Sequence, residues 1–297
     1  MLIIGCGYIG QALARAYVAR GERVVGVVRS AASTAAVAAT GAEPLQLDLT
    51  APLAEATLAR LDSAGTRVFH LAPPPSTGAT DPLTANLLAA FAVAGPPRRI
   101  LYVGTTGVYG DCGGAWVDED WPLRPAAERS HRRLDAERQL QAWSGTGGEL
   151  VILRVAGIYA CDRLPLARIR SAQPVVTPDQ APWSNRIHAD DLVQVCEAAM
   201  ERAHTGAVYN VADGHPSTMT DYFFQVADAA GLPRPPTIPL ESAAGQVSAG
   251  MLSYLQESRR LSNRRLVEEL GVKLRYPTLA DGLADCFPPA VGAAAAG

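Results

Sequence analysis

Lysine is almost missing from this 297-residue chain: Lys273 is the only one, and every other basic side chain apart from five histidines is arginine. Arginine keeps its proton up to a pKa above about 12, so the cations of the first 272 residues bind and orient but do not exchange protons near neutral pH. Long apolar runs are missing too. No stretch reaches the roughly 18 residues that a membrane-spanning helix needs, and the opening MLIIGCGYIGQALARAYV has three patterned glycines and no positively charged start, unlike a signal peptide. Excess charge of either sign is absent, the formal net charge being −3. No field attracts nucleic acid or an anionic membrane, which leaves a small molecule as the expected partner, with a homodimer left open. The five cysteines, Cys6, Cys112, Cys161, Cys196 and Cys286, are odd in number, scattered and never in CxxC spacing. That pattern predicts neither a disulfide framework nor a metal site, and with it a reducing, cytoplasmic setting.

Short apolar runs alternate with longer helical patterns through the first 160 residues, which predicts repeated βαβ units and a parallel sheet. The strands expected are Leu2 to Gly5, Arg23 to Val28, Pro44 to Leu47, Arg67 to Leu71, Arg99 to Val103 and Leu150 to Arg154. Each is nearly continuous in apolar residues, as a sheet covered on both faces requires. Helices are expected over Gly10 to Arg20, Pro82 to Ala94 and Glu128 to Trp143. The stretch Cys161 to Ala181 is rich in proline and arginine and reads as a substrate wall. A helix follows within Ile187 to His204, then a return strand at Ala207 to Val211. The fold class is α/β: a Rossmann-type, doubly wound parallel sheet over 1–160, rejoined by 186–212. A smaller C-terminal substrate domain is expected from 161–185 and 213–297, with a disordered tail at 290–297.

Gly5-Cys6-Gly7-Tyr8-Ile9-Gly10 matches GxGxxG directly after a predicted strand and before a predicted helix. In that setting Gly5 makes the tight turn, Gly7 lets the backbone approach a pyrophosphate, and Gly10 lets helix and strand pack closely. The free N–H groups at the helix start complete an anion site. A domain specific for NAD usually ends its second strand in Asp or Glu, whereas one specific for NADP offers a cation to the 2′-phosphate. Here that strand ends Val28-Arg29-Ser30, so Arg29 and Ser30 point to NADP(H), with NAD(H) as the second choice. Asp48, followed by Leu49, suits an adenine amino group; a turn carboxylate is the plain alternative.

Taken together, these and later motifs resemble the extended and atypical short-chain dehydrogenase/reductases, the superfamily of nucleotide-sugar epimerases, dehydratases and related reductases. Besides the glycine loop, Phe69-His70-Leu71-Ala72 resembles the family's fourth strand and Asn86 its following asparagine. Thr105-Thr106-Gly107-Val108-Tyr109-Gly110-Asp111 is similar to SSxxVYGD, and Leu153 to Tyr159 to LRxxxxYGP. Arg186 to Leu192 resembles RFIHVDDV, and Tyr209 to Ala212 resembles YNVA. The resemblance implies cofactor contacts at Leu71 and Ala72 and a catalytic role for Thr105.

It departs from the family at the YxxxK pair, where a tyrosine exchanges the substrate proton and a lysine holds the nicotinamide ribose. The matching register holds Arg129 and Arg133, and no tyrosine lies between Tyr109 and Tyr159. Arg133 is expected to keep part of the lysine's binding role, toward cofactor and reaction centre alike. A solvated helix face salted by neighbouring carboxylates is the plain alternative. Substitute acids must come from elsewhere: Tyr109 first, then Tyr159 and His131. Arg163, Arg168, Arg170 and Arg186 are candidates to meet an anionic group. Three readings follow. The first is an NADP(H)-dependent oxidoreductase acting on a small carbonyl or hydroxyl compound with a non-standard proton donor. The second is a binding protein or redox sensor that holds NADP(H) without turnover. The third is a nucleotide-sugar epimerase or dehydratase, disfavoured because Thr105 is followed by Thr106-Gly107 where a dehydratase carries Asp-Glu.

Overall fold

The computed structural model describes residues 1–58 and 60–288, so the expected tail at 290–297 lies outside the described residues. Seven strands form the central sheet: β1 Leu2–Ile4, β2 Val25–Val28, β3 Glu43–Gln46, β4 Arg67–His70, β5 Arg99–Thr105, β6 Glu149–Val155 and β7 Val208–Val211. Every pairing is parallel and the spatial order is β3-β2-β1-β4-β5-β6-β7. The chain therefore runs outward from β1 in one direction, then returns to start β4 on its other side. That reversal opens a crevice beyond the carboxyl ends of β1 and β4, where doubly wound sheets bind ligands.

Seven helices matter for the site: α1 Tyr8–Ala19, α2 Ala31–Ala38, α3 Pro82–Ala94, α4 Glu128–Ser144, α5 Ala189–Arg202, α6 Met219–Ala229 and α7 Leu279–Cys286. Shorter turns are named by their residues. One face of the sheet is covered by α1 through Leu13 and Tyr17 and by α5 through Leu192, Val195 and Ala199. The other is covered by α3 through Leu87 and Phe91 and by α4 through Ala136 and Leu140. Both faces are thus apolar, which explains why the strands lack polar alternation. Local chemistry sets the helix starts. Asp81 caps α3 by accepting from Leu83 N, with Pro82 at the first helical position, and reciprocal capping boxes open α6 (Thr218, Asp221) and α7 (Thr278, Asp281).

Beyond the sheet, α6, α7 and Ile169 enclose a second, smaller core built on Phe223, Val226, Leu279 and Leu283. Two short strands form a parallel bridge, Arg186–His188 on Gly157–Tyr159, where the sequence suggested only an approach to α5. The expectation of unpaired cysteines is corrected here: Cys161 and Cys286 form a disulfide, with Cα atoms 4.9 Å apart, while Cys6, Cys112 and Cys196 are free. The two partners are 125 residues apart, and only docking of α7 beside the Cys161 turn brings them within bonding reach. Among the described residues no helix is long and apolar enough to cross a membrane.

Candidate active site

The three glycines of the β1–α1 loop have different surroundings, and the differences assign their tasks. Gly5 has φ +82°, and a Cβ there would stand 2.5 Å from Ala72 N, so this turn packs directly on the end of β4. Gly10 is nearly as tight, 3.1 Å from Ile3 Cγ2 and 3.3 Å from Leu71 Cδ1, which holds α1 against the sheet with Ile9 half-buried beside it. A Cβ on Gly7 would meet only Gly5 O, at 4.0 Å. The space kept open at Gly7 lies at the N-terminus of α1, which has no side-chain cap and no acidic residue in its first turn. The residues present thus fit a pyrophosphate: free N–H groups, the positive end of a helix and no competing carboxylate.

Farther along this edge, Arg29 is exposed at the end of β2, and Ser30 stands at the N-cap position of α2 without a side-chain cap bond, its hydroxyl 2.9 Å from Ser33 Oγ. Asp48 Oδ1 accepts from Thr50 N and Thr50 Oγ1, and those bonds, with Arg29 nearby, hold its carboxyl below the usual range. That geometry matches the turn alternative for this oxygen. Leu49 is buried and its carbonyl accepts from Asn86 Nδ2 at 3.0 Å. Tyr8 reaches across the loop instead of lining the core. Its hydroxyl donates to Asp162 at 2.9 Å, and the Arg163 guanidinium lies 3.9 Å from its ring centre.

A cavity of about 580 Å³ opens beside the β5–α4 corner. Thr105, the last residue of β5, lines it and accepts from Gly107 N at 3.2 Å, and its own proton has no protein acceptor among the described residues. Gly107 is clamped under α4: a Cβ there would stand 2.6 Å from Ser130 Oγ and 3.5 Å from Thr105 Oγ1, so the two hydroxyls flank one point. Arg133 donates to Tyr102 OH at 3.3 Å and Val103 O at 3.2 Å, turning back toward the end of β5. Arg129, one turn earlier, turns outward onto Ser253 Oγ and the face of Tyr254.

Three expected acids are not brought to the cavity. Tyr109 is fully buried, donating to Asn210 Oδ1 at 2.7 Å and accepting from Arg154 Nη1 at 3.0 Å, and burial pushes its phenol up to about 12. It belongs to the packing beneath the corner, where Arg154 also pairs with buried Glu137 at 2.9 Å. Tyr159 is fully buried as well, packed edge-on against His188 with its hydroxyl tight against Gly282, and burial raises its pKa. His131 is exposed on α4 and does not line the cavity. Arg170 is likewise exposed and outside it. The groups that sequence reasoning missed are Ser130, Tyr222 and Glu257, all lining the cavity. Ser130 had a usable signal, since it adjoins Arg129 and leads the same helix face as Leu134 and Glu137. Tyr222 and Glu257 had none, because they come from distant segments.

A glycine-lined anion cradle, a sheet reversal beside it and a cavity past the strand ends together define a dinucleotide-dependent α/β enzyme. The chain belongs to the NAD dependent epimerase/dehydratase family, whose model matches residues 1–212. It is similar to Protein YeeZ of Escherichia coli (strain K12), 27% identical with 93% of this chain and 95% of that protein covered. It is also similar to the 3-diazoavenalumate denitrifying reductase of Streptomyces sp, 28% identical with 95% and 98% covered. Among solved structures, a functionally unknown conserved protein from Silicibacter pomeroyi DSS superposes with a TM-score of 0.82 at 36% identity, covering 96% of each chain. Membership makes the protein an NAD(P)-dependent enzyme of oxidoreductase type, with a dinucleotide as its cofactor.

Proposed function

We propose that the protein is an NADP(H)-dependent reductase that moves hydride to or from a small carbonyl or hydroxyl compound without a catalytic tyrosine. The observation that carries this reading is the Thr105 hydroxyl, which lines the cavity beside Ser130, accepts from Gly107 N and has no protein acceptor for its own proton among the described residues. The nicotinamide ring, when bound, supplies or accepts the hydride. The protein's own task is to hold the reacting oxygen while negative charge develops on it. Thr105 donates a hydrogen bond to that oxygen with the Ser130 hydroxyl nearby, and the proton that the reduced product takes up comes from solvent. Arg133, fixed by Tyr102 and Val103, keeps N–H groups for the ribose and adds positive charge without titrating. Arg29 and Ser30, with no carboxylate at the end of β2, favour the 2′-phosphate of NADP(H).

The test measures cofactor affinity and turnover together. NADPH should bind more tightly than NADH by about 1–3 kcal/mol, the range for a charge-assisted hydrogen bond, and Arg29→Asp should reverse the order. In a screen of carbonyl compounds followed by NADPH oxidation, Thr105→Val should lower kcat about 100-fold. Tyr109→Phe should leave kcat and its pH profile nearly unchanged. If wild-type protein binds NADPH tightly and oxidises it with none of the carbonyls, the non-catalytic binding reading replaces this one.

A further inference from the structure

The cavity beside Thr105 is unequal in charge. Seven arginines line it, and Glu257 is the single carboxylate among its lining residues. Two of the seven are matched: Arg259 pairs with Glu257 at 2.9 Å, and Arg132 lies 3.7 Å from Glu128 while donating to the Ser76 and Gly78 carbonyls. Arg129 and Arg133 are tied to the β5–α4 corner, and Arg163 lies on Tyr8 at the glycine loop. Arg168 and Arg186 remain; like Arg129, Arg133 and Arg163 they have no carboxylate within 4.0 Å among the described residues, and the buried Asp213 carboxylate acts on Arg186 from beyond that distance.

Arg186 is 7% exposed, and Arg168 is half-buried. Each rests on an aromatic ring, Arg186 at 4.2 Å from the Tyr222 centre and Arg168 at 4.8 Å from that of Phe223. The two rings are neighbours with centres 5.7 Å apart, so the cations flank one aromatic pair. Their hydrogen bonds are neutral: Arg168 to Gln173 Oε1, Arg186 to Asn185 O and, at 3.6 Å, to Met219 Sδ. Burial lowers both guanidinium pKa values. A ring face returns only about 0.5–2 kcal/mol to a cation, less than the several kcal/mol lost when an unpaired charge leaves water. An anion supplied by a ligand would offset the difference. The remaining wall offers apolar surface at Ile158, Pro165 and Met251. The same cavity of about 580 Å³ must also take the nicotinamide end of the cofactor, which leaves space for one or two rings.

We propose that the substrate is a small aromatic carboxylate, its carboxylate drawn to the side of the cavity that holds Arg168 and Arg186 and its ring lying beside the Tyr222–Phe223 pair. The proposal rests on the reading of this cavity as the substrate site. The test titrates full-length protein, with and without saturating NADPH, with 2-naphthoate, its neutral analogue 2-naphthamide, and uridine diphosphate. Naphthoate should bind at least about tenfold more tightly than naphthamide, weaken with added salt, and lose about tenfold in Arg168→Gln. Arg186→Lys, which keeps the charge in the buried position, should lose less than Arg186→Gln, and the NADPH dissociation constant should stay within about twofold in Arg168→Gln. Equal affinity for naphthoate and naphthamide, or binding of neither, overturns the carboxylate site. Uridine diphosphate binding more tightly than naphthoate overturns it in favour of a diphosphate ligand. Failure to bind NADPH sinks the functional reading instead, while the naphthoate-to-naphthamide ratio in cofactor-free protein still decides the carboxylate site.

Discussion

The β1–α1 corner and the β5–α4 corner lie at the same edge of one sheet, yet they hold their functional groups by different means. At the first, six consecutive residues supply the turn, the open approach and the helix N-terminus, and neighbouring strands only press on it from Ala72 and Leu71. At the second, Thr105 and Gly107 come from one segment, Ser130 and Arg133 from α4, and Tyr222 and Glu257 from far along the chain. The local corner carries the GxGxxG pattern, while the helix over the assembled one presents the arginines Arg129 and Arg133. A loop whose function is backbone N–H groups tolerates few alternatives to glycine. A cavity built from many segments has several hydroxyls that can stand where a phenol is missing.

The largest effect expected separates two glycines of the local corner. Gly7→Val should leave the protein folded, because the new side chain meets open space, but should weaken dinucleotide binding by about 100-fold or more by filling the pyrophosphate site. Gly5→Ala should instead lower stability by roughly 2–4 kcal/mol through positive φ and collision with Ala72. Denaturant unfolding and NADPH titration on both variants check the contrast; equal loss of stability in the two would erase it.

The assembled corner depends on long-range ties, and the disulfide is the covalent one among the ties to the substrate wall. Reduction, or Cys286→Ser, should lower unfolding free energy by about 2–4 kcal/mol, because the bridge closes a loop of 125 residues. Mass spectrometry of unreduced protein with denaturant curves reads this directly. A stability unchanged by reduction would mean that α7 holds its place by packing alone. Glycine-loop variants should show the same pyrophosphate defect in both redox states.

A smaller effect lies just past β7, at Asp213. Its Oδ1 accepts from His215 N at 2.9 Å, its Oδ2 has no partner, and burial pushes its pKa up to about 6 from 3.8. Because the folded value lies above the unfolded one, its contribution is fully present below pH 4 and is lost as pH rises through 6. Asp213→Asn keeps the bond to His215 and removes the charge, so it should raise stability at pH 7 by about 2 kcal/mol and flatten the pH 4 to 6 slope. Thermal unfolding across that range measures it; a variant less stable than wild type at pH 7 would show that the Asp213 charge is matched by Arg186.

The parallel sheet was legible because strands buried on two faces are nearly continuous in apolar residues, as β1 and the middles of β5 and β6 are. The glycine loop was legible for a related reason: its three glycines answer contacts with Ala72, Leu71 and the open N-terminus, all fixed once a strand precedes and a helix follows. Tyr109 misled because nearness to Thr105 in sequence was taken for nearness in the cavity. The turn over Thr106–Tyr109 rotates its ring inward, where Asn210 and Arg154 take its hydroxyl. The cysteines misled in the opposite sense, since spacing along the chain says nothing about two segments 125 residues apart that dock on the same small core.

By itself, the sequence determined the Rossmann-type α/β fold, the glycine-rich turn between β1 and α1, and the absence of a tyrosine between Tyr109 and Tyr159 and of any lysine before Lys273. Those features depend on short-range periodicity, on single residues with special backbone freedom, and on composition. Tertiary structure alone decided which hydroxyls line the cavity, which cysteines bond, and which arginines the cavity gathers. Side-chain direction and pairing at these points are set by contacts between segments a hundred residues apart, which local pattern cannot encode.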